Sequence, residues 1–153
     1  MMSDDEAKVR WQWYLFEQLS VHQLYALLRL RERVFQLEQH SLYQDIDGRD
    51  AGALHLLVSQ RDRLVGYLRL VDAGSAWHPG RIVLERGVRG AGLGRQLIHY
   101  GIEKARALDA QKSIRIAAQQ ALAGYYRELG FEVCSEPDDD GGVAQVDMGL
   151  GVR

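Results

Sequence analysis

The stretch of this 153-residue chain best equipped to do chemistry is Arg89-Gly90-Ala91-Gly92-Leu93-Gly94, which opens a strongly helical run, Arg95 to Asp109. Backbone N–H groups in the first turn of a helix have no partner within it, and the helix dipole adds partial positive charge there. Glycines let a phosphate approach the backbone without a Cβ in the way. Two familiar versions of such a cradle are excluded by the neighbouring residues. A P-loop needs Lys-Ser/Thr straight after its last glycine, whereas Arg95-Gln96 follow Gly94. A dinucleotide fingerprint needs glycine where Arg95 stands, and would lie near the first strand of a parallel sheet, whereas several strands precede this loop. Arg81, Arg86, Arg89 and Arg95 against Glu85 give a local charge of +3 in a chain whose net charge is −2. Phosphate binding fits that pattern; so does a glycine-rich turn with solvated arginines.

Other chemistries find less support. Cys134 is the one cysteine, so neither an internal disulfide nor a cysteine-based zinc cluster is expected. With no activating context it reads as a small buried hydrophobe rather than a nucleophile. The five histidines show no H-x-x-H or H-x-x-x-H spacing, so no metal is expected. Nineteen basic against 21 acidic residues lack the positive excess of a nucleic-acid binder. The opening MMSDDEAKVR is acidic rather than a basic n-region, and no run approaches the ~18 apolar residues that span a bilayer. The expectation is a soluble cytoplasmic protein with neither a membrane nor a nucleic-acid partner. The length fits one domain over residues 1–153. Hydrophobic residues at 46% and charged residues at 26% exclude wholesale disorder and fibrous repeats.

The elements that must position the loop follow from periodicity. Val9 to Phe16, with Trp11 and Trp13 in alternation, fits an opening strand. Ser20-Val21-His22-Gln23 has the form of a capping box, and Leu24, Leu27, Leu28, Arg31 and Phe35 share one face of the helix it starts. A polar stretch of loop length follows Glu38. Leu54 to Ser59 and Leu64 to Val71 read as a hairpin joined by Gln60–Arg63. Trp77-His78-Pro79-Gly80 breaks the pattern, and a short strand resumes from Arg81 to Leu84. After the glycine loop and its helix come a strand Ser113–Ala117 and a helix Gln119–Leu129 stopped by Gly130. Two final strands, Phe131–Ser135 and Val143–Met148, flank the turn 137–142. The order β-α-β-β-β-α-β-α-β-β predicts an α/β fold: a mixed sheet with helices on its faces.

The run R-G-x-G-L-G after a strand resembles the pyrophosphate loop of the GNAT N-acyltransferases. Gln119 to Phe131 resembles their second signature, a helix with a tyrosine four residues before Gly-Phe. The element order is also the usual GNAT order, without one short helix. Beyond the shared core, Leu24–Arg31, Val34-Phe35, Glu38-Gln39, Tyr43 to Asp50, His55 and Ala118-Gln119 resemble the ElaA-like subfamily. The resemblance runs from about Trp13 to Met148. It implies a mostly antiparallel sheet and direct attack of an acceptor's primary amine on the thioester of acetyl-CoA.

The resemblance also assigns roles. Amides from Arg89, Gly90, Ala91, Gly92, Leu93, Gly94 and Arg95 would cradle the pyrophosphate. Backbone groups of Ile82, Val83 and Leu84 would hold the pantetheine arm like an added strand, and an amide near Val83 or Leu84 would polarise the thioester carbonyl. Tyr126 matches the acid that protonates the leaving thiolate, and Gln119 stands where many relatives have a cofactor-contacting Asn. For the general base, Glu85 is one candidate, while Glu38, Asp47 and His55 would line the acceptor pocket. Solvated carboxylates and a structural histidine are the alternative reading of those four. Glu38, Asp45, Asp47 and Asp50 make loop 38–53 acidic, which hints at a cationic amine, either a small molecule or a lysine side chain. Ser41-Leu42 stand where the ElaA-like pattern has Cys-Pro, and Gly141 to Gln145 where it has Asp-Gly-Ile-Pro-His. Gly141 and Gln145 favour the rival reading, a non-catalytic CoA-binding or partner-binding module, while the intact Tyr126 argues against it. Homodimers are common among GNAT proteins, and Trp11 and Trp13 would lie either at such an interface or in the core.

Overall fold

The computed structural model describes residues 8–135 and 144–151. Seven strands form one sheet in the order β1-β2-β3-β4-β5-β7-β6. They are β1 (Arg10–Leu15), β2 (Leu54–Gln60), β3 (Arg63–Asp72), β4 (Ala76–Leu84), β5 (Ser113–Gln119), β6 (Glu132–Val133) and β7 (Gln145–Leu150). All neighbours run antiparallel except β4 and β5, which are parallel. Three helices complete the order expected from the sequence: α1 (Val21–Glu32), α2 (Leu93–Leu108) and α3 (Ala123–Glu128).

Each element has a local cause. Ser20 Oγ accepts from the Gln23 amide at 3.0 Å and the Gln23 side chain accepts from the Ser20 amide at 2.9 Å, so the capping box forms. Beyond Glu32 the helix continues through a π-helical turn, Arg33–Glu38. The β2–β3 hairpin turns on two residues, Arg61 (φ 56°) and Asp62 (φ 59°), the left-handed pair that matches strand twist. Both strands therefore reach further than the four-residue link read from the sequence. α2 lays Leu97, Ile98, Ile102 and Ala105 on one face of the sheet, against Leu56, Leu68, Leu70, Ile114 and Met148. α1 covers the other face, where Leu27, Leu30, Val34 and Phe35 meet Leu57, Tyr67 and Val83. The opening tryptophans belong to the first layer: Trp11 stacks on Tyr100 at 4.5 Å, and Lys104 sits over Trp13 at 5.8 Å.

Four expectations need correction. Pro79-Gly80 does not interrupt the strand; β4 runs through it, pairing Pro79 with Leu70 and Gly80 with Arg69. The irregularity comes next, a bulge at which Arg81 (φ 50°) and Ile82 together face Leu68. The stretch 119–129 is not one helix but strand end, 3-10 turn (Gln120–Leu122) and α3. β6 has only two residues, and Cys134 just after it is exposed rather than buried, because none of the described residues packs outside that short edge strand. The turn 137–142, and with it Gly141 and Gly142, lies outside the described residues.

Leu97 is fully buried, whereas Leu37 is 67% exposed. Truncating a buried leucine loses transfer energy and leaves a cavity. Leu97→Ala is expected to lower unfolding stability by about 3 kcal/mol and Leu37→Ala by less than ~0.5 kcal/mol, both read from urea denaturation. Equal losses would contradict this assignment of the core.

Candidate functional site

β4 and β5 pair only at Ala76–Ser113 and Trp77–Ile114 and then part. The divergence opens a cleft of about 1090 Å³ between Gly80, Arg81 and Ile82 on one side and Ile116, Ala117 and Gln119 on the other. A smaller hollow of about 300 Å³ lies along Val83, Leu84, Glu38 and Arg89, and shares Ile82 and Gly94 with the first. Ile82, Val83 and Leu84 therefore line one or both, as read from the sequence.

The glycine loop closes the splayed end. Gly90 (φ 89°) and Gly92 (φ 84°) are left-handed, with nothing within 4 Å of where a Cβ would stand. Gly92 caps α2, whose first internal bond runs from the Gln96 amide to the Gly92 carbonyl at 3.2 Å. The amides of residues 90 to 95 donate to no described residue. The Arg89 amide does have an acceptor, the Arg86 carbonyl at 3.4 Å. Its guanidinium spans the Leu84 carbonyl (2.9 Å) and both Glu38 oxygens (3.0 and 2.9 Å). Loop geometry and open amides fit a diphosphate, as the wide cleft beside them fits a long acyl-CoA arm.

Tyr126 reaches the cleft from α3, with its ring edge-on to Tyr125 and Phe131. Burial pushes its phenol up to about 12, with a smaller push from Tyr125. Gln119 also lines the cleft and donates to Gln39 at 2.9 Å. Arg95 sits over the Tyr125 ring at 4.9 Å.

The four candidate acceptor and base residues are already engaged. Glu85 pairs with Arg63 and lies outside both hollows. Glu38 is held by Arg89 and Arg86, whose hydrogen bonds keep its carboxyl low. His55 is fully buried, Nδ1 on the Tyr67 hydroxyl at 2.6 Å and Nε2 on the Asp50 carbonyl at 2.8 Å. Its environment favours the neutral ring, burial first. Asp47 does line the cleft, but Arg69 grips both its oxygens (2.8 and 2.9 Å). Burial would raise its carboxyl, yet those bonds hold it well below the usual range.

Loop 38–53 is thus acidic in sequence but neutralised in the fold. Arg31, fully buried, binds Asp45 at 2.9 Å and Asp50 at 2.7 Å. Arg69 adds Asp50 at 3.1 Å, and Arg81, delivered by the bulge, adds Asp45 and Asp47. Removing the charge does away with the hint of a cationic acceptor. No group of three or more His, Cys, Asp or Glu able to hold a metal occurs among the described residues.

Sequence reasoning passed over a polar row on the α1 side of the sheet. Arg115 and Asp147 sit between buried neighbours, Ile114 and Ile116 on β5, Val146 and Met148 on β7. His78 follows Trp77 on β4 immediately past the last paired residues. All three line the cleft with Arg49. Burial lowers the His78 ring, as do the nearby charges of Arg49 and Arg115, while Asp147 opposes them. Their strand alternation was the available signal, though solvated residues give the same pattern.

A family model described as an acetyltransferase (GNAT) domain matches residues 17–151. Protein ElaA of Escherichia coli is 34% identical over 145 residues, covering 92% of this chain and 95% of that protein. A UPF0039 protein of Synechocystis is 32% identical, covering 92% and 94%. Among solved structures, an acyl-CoA N-acyltransferase from Pseudomonas aeruginosa superimposes with a TM-score of 0.89 at 31% identity, covering 94% of this chain and all of that one. The E. coli ElaA structure gives 0.87 at 33%, covering 93% and 99%.

The charge network makes stability pH-dependent. Asp47 and Asp50 titrate lower folded than unfolded, and His55 likewise stays neutral when folded. In each case the unfolded chain binds protons first, so stability falls with pH. The loss should begin below about pH 6.5 through His55 and steepen below about pH 4 through the carboxylates. Asp50→Asn takes one carboxylate from the network, leaving Arg31 with Asp45 and Arg69 with Asp47, and should cost about 1–3 kcal/mol at pH 7, with a flatter curve below pH ~5. Urea unfolding at several pH values measures both; unchanged stability would remove the network from the fold's support.

Proposed function

The chain belongs to the GNAT acetyltransferase family, in its ElaA-like branch, and from that premise we propose that it acetylates the amine of an acceptor with acetyl-CoA by direct attack. The supporting observation is the row of undonated amides, residues 90 to 95, set at the open end of the β4–β5 cleft. Acetyl-CoA supplies the activated thioester carbonyl. Amides 90 to 95 bind its pyrophosphate, aided by the α2 dipole. Arg89 acts indirectly, since its amide and guanidinium are both engaged; it ties the loop to Leu84 and Glu38. The cleft-facing edge of β4, at Ile82 and the Leu84 amide, holds the pantetheine arm, and an amide there polarises the carbonyl. The Val83 backbone faces β3, in register with Tyr67. Gln119 borders the arm from β5. The Leu84 carbonyl is committed to Arg89, so it contributes little to the arm.

Tyr126 keeps its proton at neutral pH. With its phenol at about 12, complete transfer to a thiolate near 8.5 would cost about 5 kcal/mol. Its role is therefore to donate a hydrogen bond to sulfur as charge builds there, with transfer following as the site rearranges. The acceptor's proton goes to His78, the one histidine of the cleft, held neutral by burial and two arginines. On this reading the chain works in the cytoplasm as one domain.

The rival, a CoA-binding module without catalysis, separates by experiment. Calorimetric titration should give micromolar binding of acetyl-CoA, with none of ATP or NAD. Gly94→Glu should abolish it, since Gly94 carries no left-handed φ and its Cβ meets only Leu84 at 3.6 Å, so the change adds charge without strain. Tyr126→Phe should lower the turnover of any accepted amine at least ~10-fold and leave acetyl-CoA affinity intact. Binding without turnover of any amine would favour the rival; absence of binding would end both readings.

A further inference from the structure

Resting on that reading, we propose that the acceptor is an amino carboxylate: an amine with an anionic group beside it, the carboxylate held by Arg49 and Arg115. The sheet register brings the groups together. Val71 pairs with His78 and Arg115 with Gly149, while Arg69 pairs with Gly80 and Ala117 with Asp147. Two adjacent rows on the α1 side of the sheet thus carry Arg69, His78, Arg115 and Asp147, and Arg49 comes in from the loop above.

Charge bookkeeping then points to the ligand. Among cleft cations, Arg69 and Arg81 are consumed by Asp45, Asp47 and Asp50, and Arg95 faces Glu128 at 3.4 Å. Arg49 and Arg115 form no ion pair with a described residue, and both act on the half-buried ring of His78. The cofactor does not need them: its phosphates are answered beyond Leu84, about 20 Å along β4 from His78. Guanidinium forks match carboxylates in geometry as well as charge. Asp147, on the adjacent row, has no side-chain partner among the described residues and opposes the arginines at His78. A zwitterion answers all three: carboxylate to the arginines, ammonium to Asp147 and His78. A polyamine would meet two unpaired cations and one free anion.

The test is acetyl-CoA-dependent thiol release over amino acids and dipeptides, each paired with its own carboxamide, with spermidine as the cationic comparison. At least one acid should be used ten or more times better than its amide. Arg115→Gln and Arg49→Gln should each raise the KM for that acid about tenfold and collapse the acid-over-amide preference, while acetyl-CoA affinity by calorimetry stays within twofold. Equal use of amides, preference for spermidine, or a preference that survives both substitutions overturns the inference. So does silence of the whole panel from a protein that binds acetyl-CoA, which leaves the acetyl-CoA site standing. Failure to bind acetyl-CoA at all removes the reading beneath it.

Discussion

Two parallel strands that pair over only two residues set the terms for everything else in this molecule. Parallel neighbours in a sheet ordinarily stay in register and leave no room between them. Here β4 keeps β3 on one flank and gives up β5 on the other. Its bulge at Arg81 and Ile82 lies within the freed stretch, so the exposed edge is aimed rather than merely unpaired. A 3-10 turn (Arg86–Val88) and the glycine loop link the end of that strand to α2 and bring the helix N-terminus to the mouth of the gap. A sheet without the divergence would have the same core and no cleft.

The second wall of the cleft is held by charge rather than by apolar packing. Arg31 comes from α1, Arg69 from β3 and Arg81 from the bulge, and all close on carboxylates from one loop. Such a wall costs desolvation and is rigid only while every partner is present. Its side-chain arrangement spends the loop's negative charge inward. What the cleft presents outward is then decided by the few groups left over, Arg49, Arg115, Asp147 and His78.

This division explains what could be read from the sequence. The glycine loop and the capping box were legible because each signal lies within a few consecutive residues. Element order followed from periodicity for the same reason. β4 was misread because Pro79-Gly80 punctuates most strands, and only the loss of β5 as a partner makes proline tolerable there. The acidity of loop 38–53 misled because its partners lie at positions 31, 69, 81, 86 and 89, far along the chain. Cys134 was read as buried from its residue type and the absence of an activating context, and nothing local reveals that the strand before it lies at the edge of the sheet. Arg115 and Asp147 were visible only as polar residues in alternation, which says which face they take and nothing about what gathers there.

The π-helical turn at Arg33–Glu38 has a consequence of phase. Each residue in an α-helix advances the chain by about 100°, and a π turn accommodates one residue more than the α-helical path needs. That surplus fixes the azimuth at which Glu38 leaves the helix, toward Arg89 and the glycine loop. Taking one residue out of the turn would leave α1 seated on its apolar stripe and swing Glu38 about a quarter of the way round the axis. The link between the acceptor-side loop and the cofactor-side loop is therefore encoded as a length, not as a residue type.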